Sequence, residues 1–317
     1  MKSKLSFFLF CLLLLLSNAG NSTILPIGLK QHADSTPKSL FKNHYALTEY
    51  LIKGTKNDEE KVLIFSYWIA KNIIYDKSGL VKLGRNKVPR ELLSDRRGVC
   101  GCMSNLFQQF CDNSNVKCYT IYGKAYGSFF RRYFTFSRLS HAWNSVFINQ
   151  EWKLVDVTWN TNLVKDSKFK KNPDLEWIFK DPTFFAKSHF PENPAWQLLK
   201  SPYSKKEFWK RNVPVDKEYN FRDTLAIMKD SSKSVALLSS IRNTYYFTGN
   251  KNKYVKSVIK LGWRVVFDAK DSSEAIVGVS LLEDLNKELQ QDVFTKQKRR
   301  YSIPLNNTKE YIEKKWG

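Results

Sequence analysis

The chain has 317 residues, 42% hydrophobic and 26% charged, which is enough apolar material for a full core and excludes disorder over most of its length. With 52 basic against 30 acidic residues the net charge is +22, or +20 without Lys2 and Lys4. The basic residues are scattered and form no reader motif, which excludes specific nucleic-acid binding and leaves weak attraction to anionic cell-surface polymers as the expected effect of the charge.

Lys2 and Lys4 precede an apolar run from Phe7 to Leu16, and Ser17-Asn18-Ala19 supplies small residues where a signal peptidase reads. Residues 1–19 are expected to be a signal peptide, and the mature protein to be exported to a periplasmic, cell-envelope or extracellular location. The run is too short to span a bilayer, so no transmembrane helix is expected after cleavage. Residues 20–39 read as an irregular, polar leader. Leu40 to Ile52 reads as an amphipathic helix stopped at Gly54, and Asn57-Asp58-Glu59-Glu60 as a capping box with Glu60 folding back. In the helix that follows, Val62, Phe65, Trp68, Ile69 and Ile73 recur at helical spacing, predicting one buried face.

A basic connector over 76–97 leads to Gly98-Val99-Cys100, where glycine permits a tight turn and a helix begins, with Met103, Leu106, Phe107 and Phe110 on its apolar face. Val116 to Tyr126 is rich enough in β-branched and aromatic residues for a strand. Residues 127–139 mix five aromatic rings with arginines, and read as a hairpin tip or as a cleft rim that grips substrate. His141–Ile148 and Trp152–Trp159 read as two strands of a hairpin turning at Asn149-Gln150-Glu151. An aromatic, loop-rich segment follows, and from about Tyr219 the pattern changes to helices at 222–230, 232–248, 253–268 and 273–291, interrupted at Gly249 and Gly262. The organisation expected is therefore a signal peptide (1–19), a leader (20–39), a catalytic α+β domain (40–200), a linker (201–218) and a mainly α-helical C-terminal domain (219–317).

Cys100, His141 and Asp156 carry the chemistry. A thiol attacks as thiolate, and a helix N-terminus or a neighbouring imidazolium stabilises that anion. Asp156, flanked by Val155 and Val157, is costly as a buried charge unless partnered, and a histidine is a partner whose tautomer it would fix. Strand parity supplies a condition. With a two-residue turn at Asn149-Gln150, His141 lies diagonal to Asp156 on one face; a three-residue turn sends His141 to the other face. Of the five cysteines, Cys100, Cys102, Cys111 and Cys118 remain after cleavage. An oxidising compartment permits a Cys111–Cys118 bridge. No histidine pairs with cysteines at zinc-finger spacing, so no structural zinc is expected.

Gly98-Val99-Cys100 with Ser104-Asn105-Leu106-Phe107, then Ser140-His141-Ala142-Trp143-Asn144, then Trp152 through Trp159, resembles the transglutaminase-like superfamily. Asp181-Pro182, His189-Phe190-Pro191 and Trp196-Gln197-Leu198-Leu199 resemble, more narrowly, its kyphoscoliosis-peptidase-like branch. The resemblance covers about residues 40–200 and implies a papain-like α+β core, its cysteine on a central helix packed against an antiparallel sheet bearing the histidine and aspartate. It implies Cys100 as nucleophile, His141 as general base and acid, and Asp156 as orienter. It further implies attack on amide or peptide bonds of a protein or peptide substrate through a thioester, by a protease or transamidase, or else an inactive scaffold. No metal or organic cofactor is called for, and no acidic loop suits calcium activation. One departure stands out: Gly101-Cys102-Met103 follows the nucleophile where relatives carry a small residue, glycine and an aromatic. Cys102 reads as a small buried residue or as a second thiol that forms a silencing disulfide or a redox pair with Cys100. Trp68 and Tyr75 are assigned to packing.

Overall fold

A computed structural model describes residues 24–76, 89–126, 139–161, 173, 175–210, 212, 221–230, 233–269, 271–291 and positions 294, 296, 297, 301, 310 and 312–315. The signal-peptide segment, most of the aromatic-arginine loop (127–138) and much of the linker (211, 213–218) lie outside the described residues. The chain divides into two compact units: Met1–Cys118 with Val146–Lys180, and Tyr119–Ser145 with Asp181–Gly317.

The first unit opens with helix α1 (Ile27–Asp34), where the sequence reads as an irregular leader. Leu29 and Ala33, four residues apart, are buried. The Tyr67 hydroxyl donates to Asp34 at 2.8 Å, Lys71 pairs with the same carboxylate, and the Trp68 indole donates to Thr36 at 3.1 Å. Tertiary contacts, not local propensity, order this segment. Lys38–Lys42 is a short 3-10 turn, and α2 (His44–Leu51) starts later than Leu40 because the Asn43 side chain caps it, accepting from the Tyr45 and Ala46 amides at 2.9 and 3.2 Å.

In α3 (Asp58–Asn72) Asn57 is the cap, accepting from the Glu60 amide at 2.9 Å. Glu60 reaches back one residue beyond the expected partner, accepting from the Lys56 amide at 2.7 Å. Every residue from Val62 to Ala70 is buried, so this helix is enclosed all round and not along one face. Strand β1 (Ile74–Tyr75) pairs in parallel with β2 (Arg97–Gly98), and between them the expected connector contains helix α4 (Pro89–Asp95), which buries Leu92 and Leu93.

Helix α5 (Cys100–Asn113) packs on α2, α3 and α4, with Phe110 set against the rings of Phe65 and Trp68 at 5.3 and 6.0 Å. The unit also holds the end of strand β4 (Leu139–Ile148), then β5 (Glu151–Val155) and β6 (Ile178–Lys180), in the order β6-β5-β4. Asn149 and Gln150, at φ 54° and 64°, make the turn. Two successive left-handed residues are the signature of a type I′ hairpin, whose twist suits the flanking strands.

In the second unit β3 (Cys118–Ala125) lies between β4 and β7 (His189–Pro191), and Gly123 pairs antiparallel with Pro191. A Cβ on Gly123 would meet the Phe190 carbonyl oxygen at 2.2 Å and the Trp143 ring at 2.5 Å, so only glycine fits. Helix α6 (Pro182–Ala186) is capped by Asp181, and a 3-10 turn over Pro194–Gln197 by Asn193. Helix α7 (Lys205–Lys210) precedes α8 (Phe221–Asp230), α9 (Lys233–Thr248), α10 (Lys251–Asp268) and α11 (Ser272–Leu289), which fall where the sequence pattern places the four C-terminal helices.

Gly249, at φ 64°, separates α9 from α10 as expected, but Gly262 interrupts nothing. It sits within α10 where α11 crosses closely: an added Cβ would meet Leu282 at 2.6 Å and the Gly278 carbonyl oxygen at 3.2 Å. Tyr254, Val255 and Val258 of α10 share a core with Leu285 and Leu289 of α11. No helix among the described residues is long and apolar enough to cross a membrane.

Candidate active site

Cys100 opens α5, preceded by Val99, whose side chain cannot cap the helix, and the first turn carries no acidic residue. Nothing in that turn opposes the positive end of the helix dipole, which favours a thiolate at Cys100. The approach to the cysteine is tight. A Cβ on Gly98 would strike Leu92 at 2.5 Å and the Cys102 side chain at 3.0 Å. Cys102 thus fills space behind the turn, 2% exposed, and neither Cys100 nor Cys102 is in a disulfide.

Tyr75 stands directly across the parallel bridge from Gly98, two residues before the nucleophile candidate, and the Asp76 amide donates to the Gly98 carbonyl at 2.9 Å. Burial first, then the negative charge of Cys100 and of Asp156, pushes the Tyr75 phenol far above its ordinary value, so it stays a neutral O–H donor. This residue, which sequence reading assigns to packing, is an electrostatic neighbour of two of the three candidate residues. The signal available in the sequence was its place just after a buried helix, in a strand too short to show a period.

Asp156 lies just beyond β5, not inside a strand running to Trp159, because its own side chain turns the chain. One carboxylate oxygen accepts from the Thr158 amide at 2.9 Å and the Trp159 amide at 3.1 Å, while its backbone amide donates to the Trp177 carbonyl at 3.0 Å. Fully buried, it is held by N–H groups that offset part of its desolvation. The Asn149-Gln150 turn is the even-numbered loop that strand parity demands.

In the second unit, His141 lies on β4, 4% exposed, stacked on Trp143 with ring centroids 5.8 Å apart. Beside it is His189 of β7, at 5.4 Å, itself stacked on Phe185 at 3.9 Å and held through Nδ1 by the Ser188 hydroxyl at 2.8 Å. His189 is 1% exposed. Sequence reading gives it only as part of a family-like motif; its place beside His141 arises from strand pairing between distant segments. The first unit thus places Tyr75 within electrostatic reach of both Cys100 and Asp156, and the second brings His141 together with His189, Trp143 and Phe185. At the far end of α5, Cys111 and Cys118 are buried and form no disulfide, their thiols being hydrogen-bonded to each other.

Kyphoscoliosis peptidase of Mus musculus is 32% identical over 166 residues, covering 51% of this chain and 25% of that protein. The Lim and transglutaminase domain protein ltd-1 of Caenorhabditis elegans is 24% identical over 205 residues, covering 59% of this chain and 27% of that protein. The chain spans about a quarter of the length of these curated relatives. A solved TGase structure aligns with TM-score 0.31 and 13% identity, over 52% of this chain and 41% of that chain. Residues 45–157 match the model of the Transglutaminase-like superfamily, and this stretch, containing Cys100, His141 and Asp156, is a transglutaminase-like domain.

Proposed function

We propose that the chain is a cysteine acyl-transfer enzyme acting on amide or peptide bonds of proteins or peptides, with Cys100 as nucleophile, His141 as general base and acid, and Asp156 as orienter. The observation that carries this reading is the start of α5: a cysteine at an uncapped helix end, within electrostatic reach of Tyr75, which is in turn within reach of Asp156, inside a transglutaminase-like domain. The Cys100 sulfur attacks the substrate carbonyl carbon as His141 takes the thiol proton. The tetrahedral intermediate collapses to a thioester when His141 returns that proton to the leaving amine. Water or a second amine then releases the acyl group. To the amides at the helix start and the neutral Tyr75 hydroxyl we assign stabilisation of the developing oxyanion. The word peptidase in the mouse relative's name favours water as the acceptor.

An amide-directed thiol probe tests the proposal. Wild-type protein is expected to label at Cys100, Cys100→Ala to lose all labelling, and His141→Ala to slow it strongly. Labelling that survives Cys100→Ala, or that ignores His141→Ala, overturns the assignment. Export belongs to the same proposal, on the strength of the Lys2–Ala19 pattern. N-terminal sequencing of the exported protein is expected to begin at Gly20.

A further inference from the structure

Helix α10 carries a second surface, unrelated to the chemistry at Cys100. Tyr254, Val255, Val258, Leu261, Gly262 and Val266 are buried, several of them against α11, while Lys256, Lys260, Arg264 and Phe267 are exposed. At about 100° per residue these four, with Trp263, fall within an arc of roughly 100° on the opposite side of the helix. Among the described residues, none of the three cations makes an ion pair. The stripe ends in an aromatic pair: Trp263 and Phe267 stack with centroids 5.5 Å apart, and Phe267 is 53% exposed. The same end of the α10–α11 hairpin exposes Ile276 (58%) and Val277 (43%), since Gly278 of α11 lies against Gly262 and Val266 of α10.

We propose that this face of α10, with the hairpin tip, docks the protein on an anionic lipid surface, Lys256, Lys260 and Arg264 meeting headgroups and Phe267 with Ile276 entering the interfacial layer. Two features favour lipid over a soluble polyanion. A polyanion needs only the cations, whereas here they share a stripe with exposed aromatic and aliphatic side chains, the arrangement that suits a boundary between charge and hydrocarbon. The net charge of +22 would hold the molecule near such a surface, and the stripe would orient it.

Co-sedimentation of the full chain with phosphatidylcholine vesicles, with and without phosphatidylglycerol, provides the test. Binding is expected only with the anionic lipid and to weaken as salt rises. The triple variant Lys256→Glu/Lys260→Glu/Arg264→Glu is expected to bind on the order of 100-fold more weakly. A control, Lys53→Glu/Lys56→Glu/Lys117→Glu, changes net charge equally at exposed positions of the first unit and is expected to bind within a few-fold of wild type. Phe267→Ser/Ile276→Ser keeps every charge and is expected to lose about tenfold on vesicles and nothing on heparin beads. Thermal melting confirms that each variant is folded, all the positions being at the surface. Equal losses in both triple variants would mean diffuse attraction, and a tip variant indistinguishable from wild type on vesicles would mean a polyanion site; either result overturns the proposal.

Discussion

The two ends of α5 hold the same side chain under opposite pressures. At the start, Cys100 sits at the positive end of the helix dipole, within electrostatic reach of the neutral Tyr75 phenol. In the last turn, Cys111 is fully buried; burial first, then its hydrogen bond to Cys118 and that neighbour's charge, pushes its thiol well above the ordinary value. The helix dipole favours an anion at one end, and burial disfavours it at the other. On the proposed function, reactivity follows position on the helix.

The largest test of this contrast removes each thiol in turn. Cys100→Ala is expected to cut turnover of an amide substrate by 10³-fold or more, on the order of other lost nucleophiles. Cys111→Ala is expected to leave kcat/KM within a few-fold while lowering the melting temperature, because it opens a gap in the core. Next comes Asp156→Asn, which keeps an oxygen to accept from the Thr158 and Trp159 amides but loses the charge. Turnover is expected to fall on the order of 10²- to 10⁴-fold with little change in melting. An equal loss of fold and turnover would reduce Asp156 to a structural cap.

Tyr75→Phe sharpens the comparison, because it removes one hydroxyl and little volume. An effect of about tenfold on kcat is expected, with the midpoint of the pH profile for Cys100 alkylation moving up. Iodoacetamide mapping at neutral pH is expected to modify Cys100 well before Cys111 in the native protein, and both alike once unfolded. The buried end has its own pH signature. A thiol whose value is raised by folding stabilises the native state fully below the unfolded value, about 8.5, and that contribution is lost as pH rises toward the folded value. Urea melts are accordingly expected to show stability falling above about pH 8.5, and less steeply in Cys111→Ala. The smallest effect lies away from the helix: Gln150→Gly, at a left-handed position, is expected to raise stability by about 0.5–1 kcal/mol with neither thiol altered.

Features set by local chemistry were legible from sequence. The helix start at Cys100, the cap at Asn57 and the four C-terminal helices follow from spacing and capping chemistry, and the structure has them close to where the pattern puts them; the hairpin too was legible, but its turn holds two residues where the pattern suggested Asn149-Gln150-Glu151. Features set by contacts between distant segments were not. Helix α1 is ordered by Tyr67, Trp68 and Lys71, more than 30 residues away in sequence. Gly262 reads as a break, and only the close passage of α11 explains it as packing. Asp156 was found by its chemistry, yet its strand ends at Val155, since a buried carboxylate that accepts two amides bends the chain after it. Tyr75 and His189 gain their neighbours only through strand pairing, which a single sequence does not disclose.

The Asn149-Gln150 turn also constrains how this protein can drift. Two adjoining left-handed residues close the hairpin with no slack, and side chains beyond it alternate between its two faces. A single added or deleted residue there would send every downstream β5 side chain to the wrong side, whereas a pair would restore it. Natural variation in the length of this connection should therefore come in twos, or not at all.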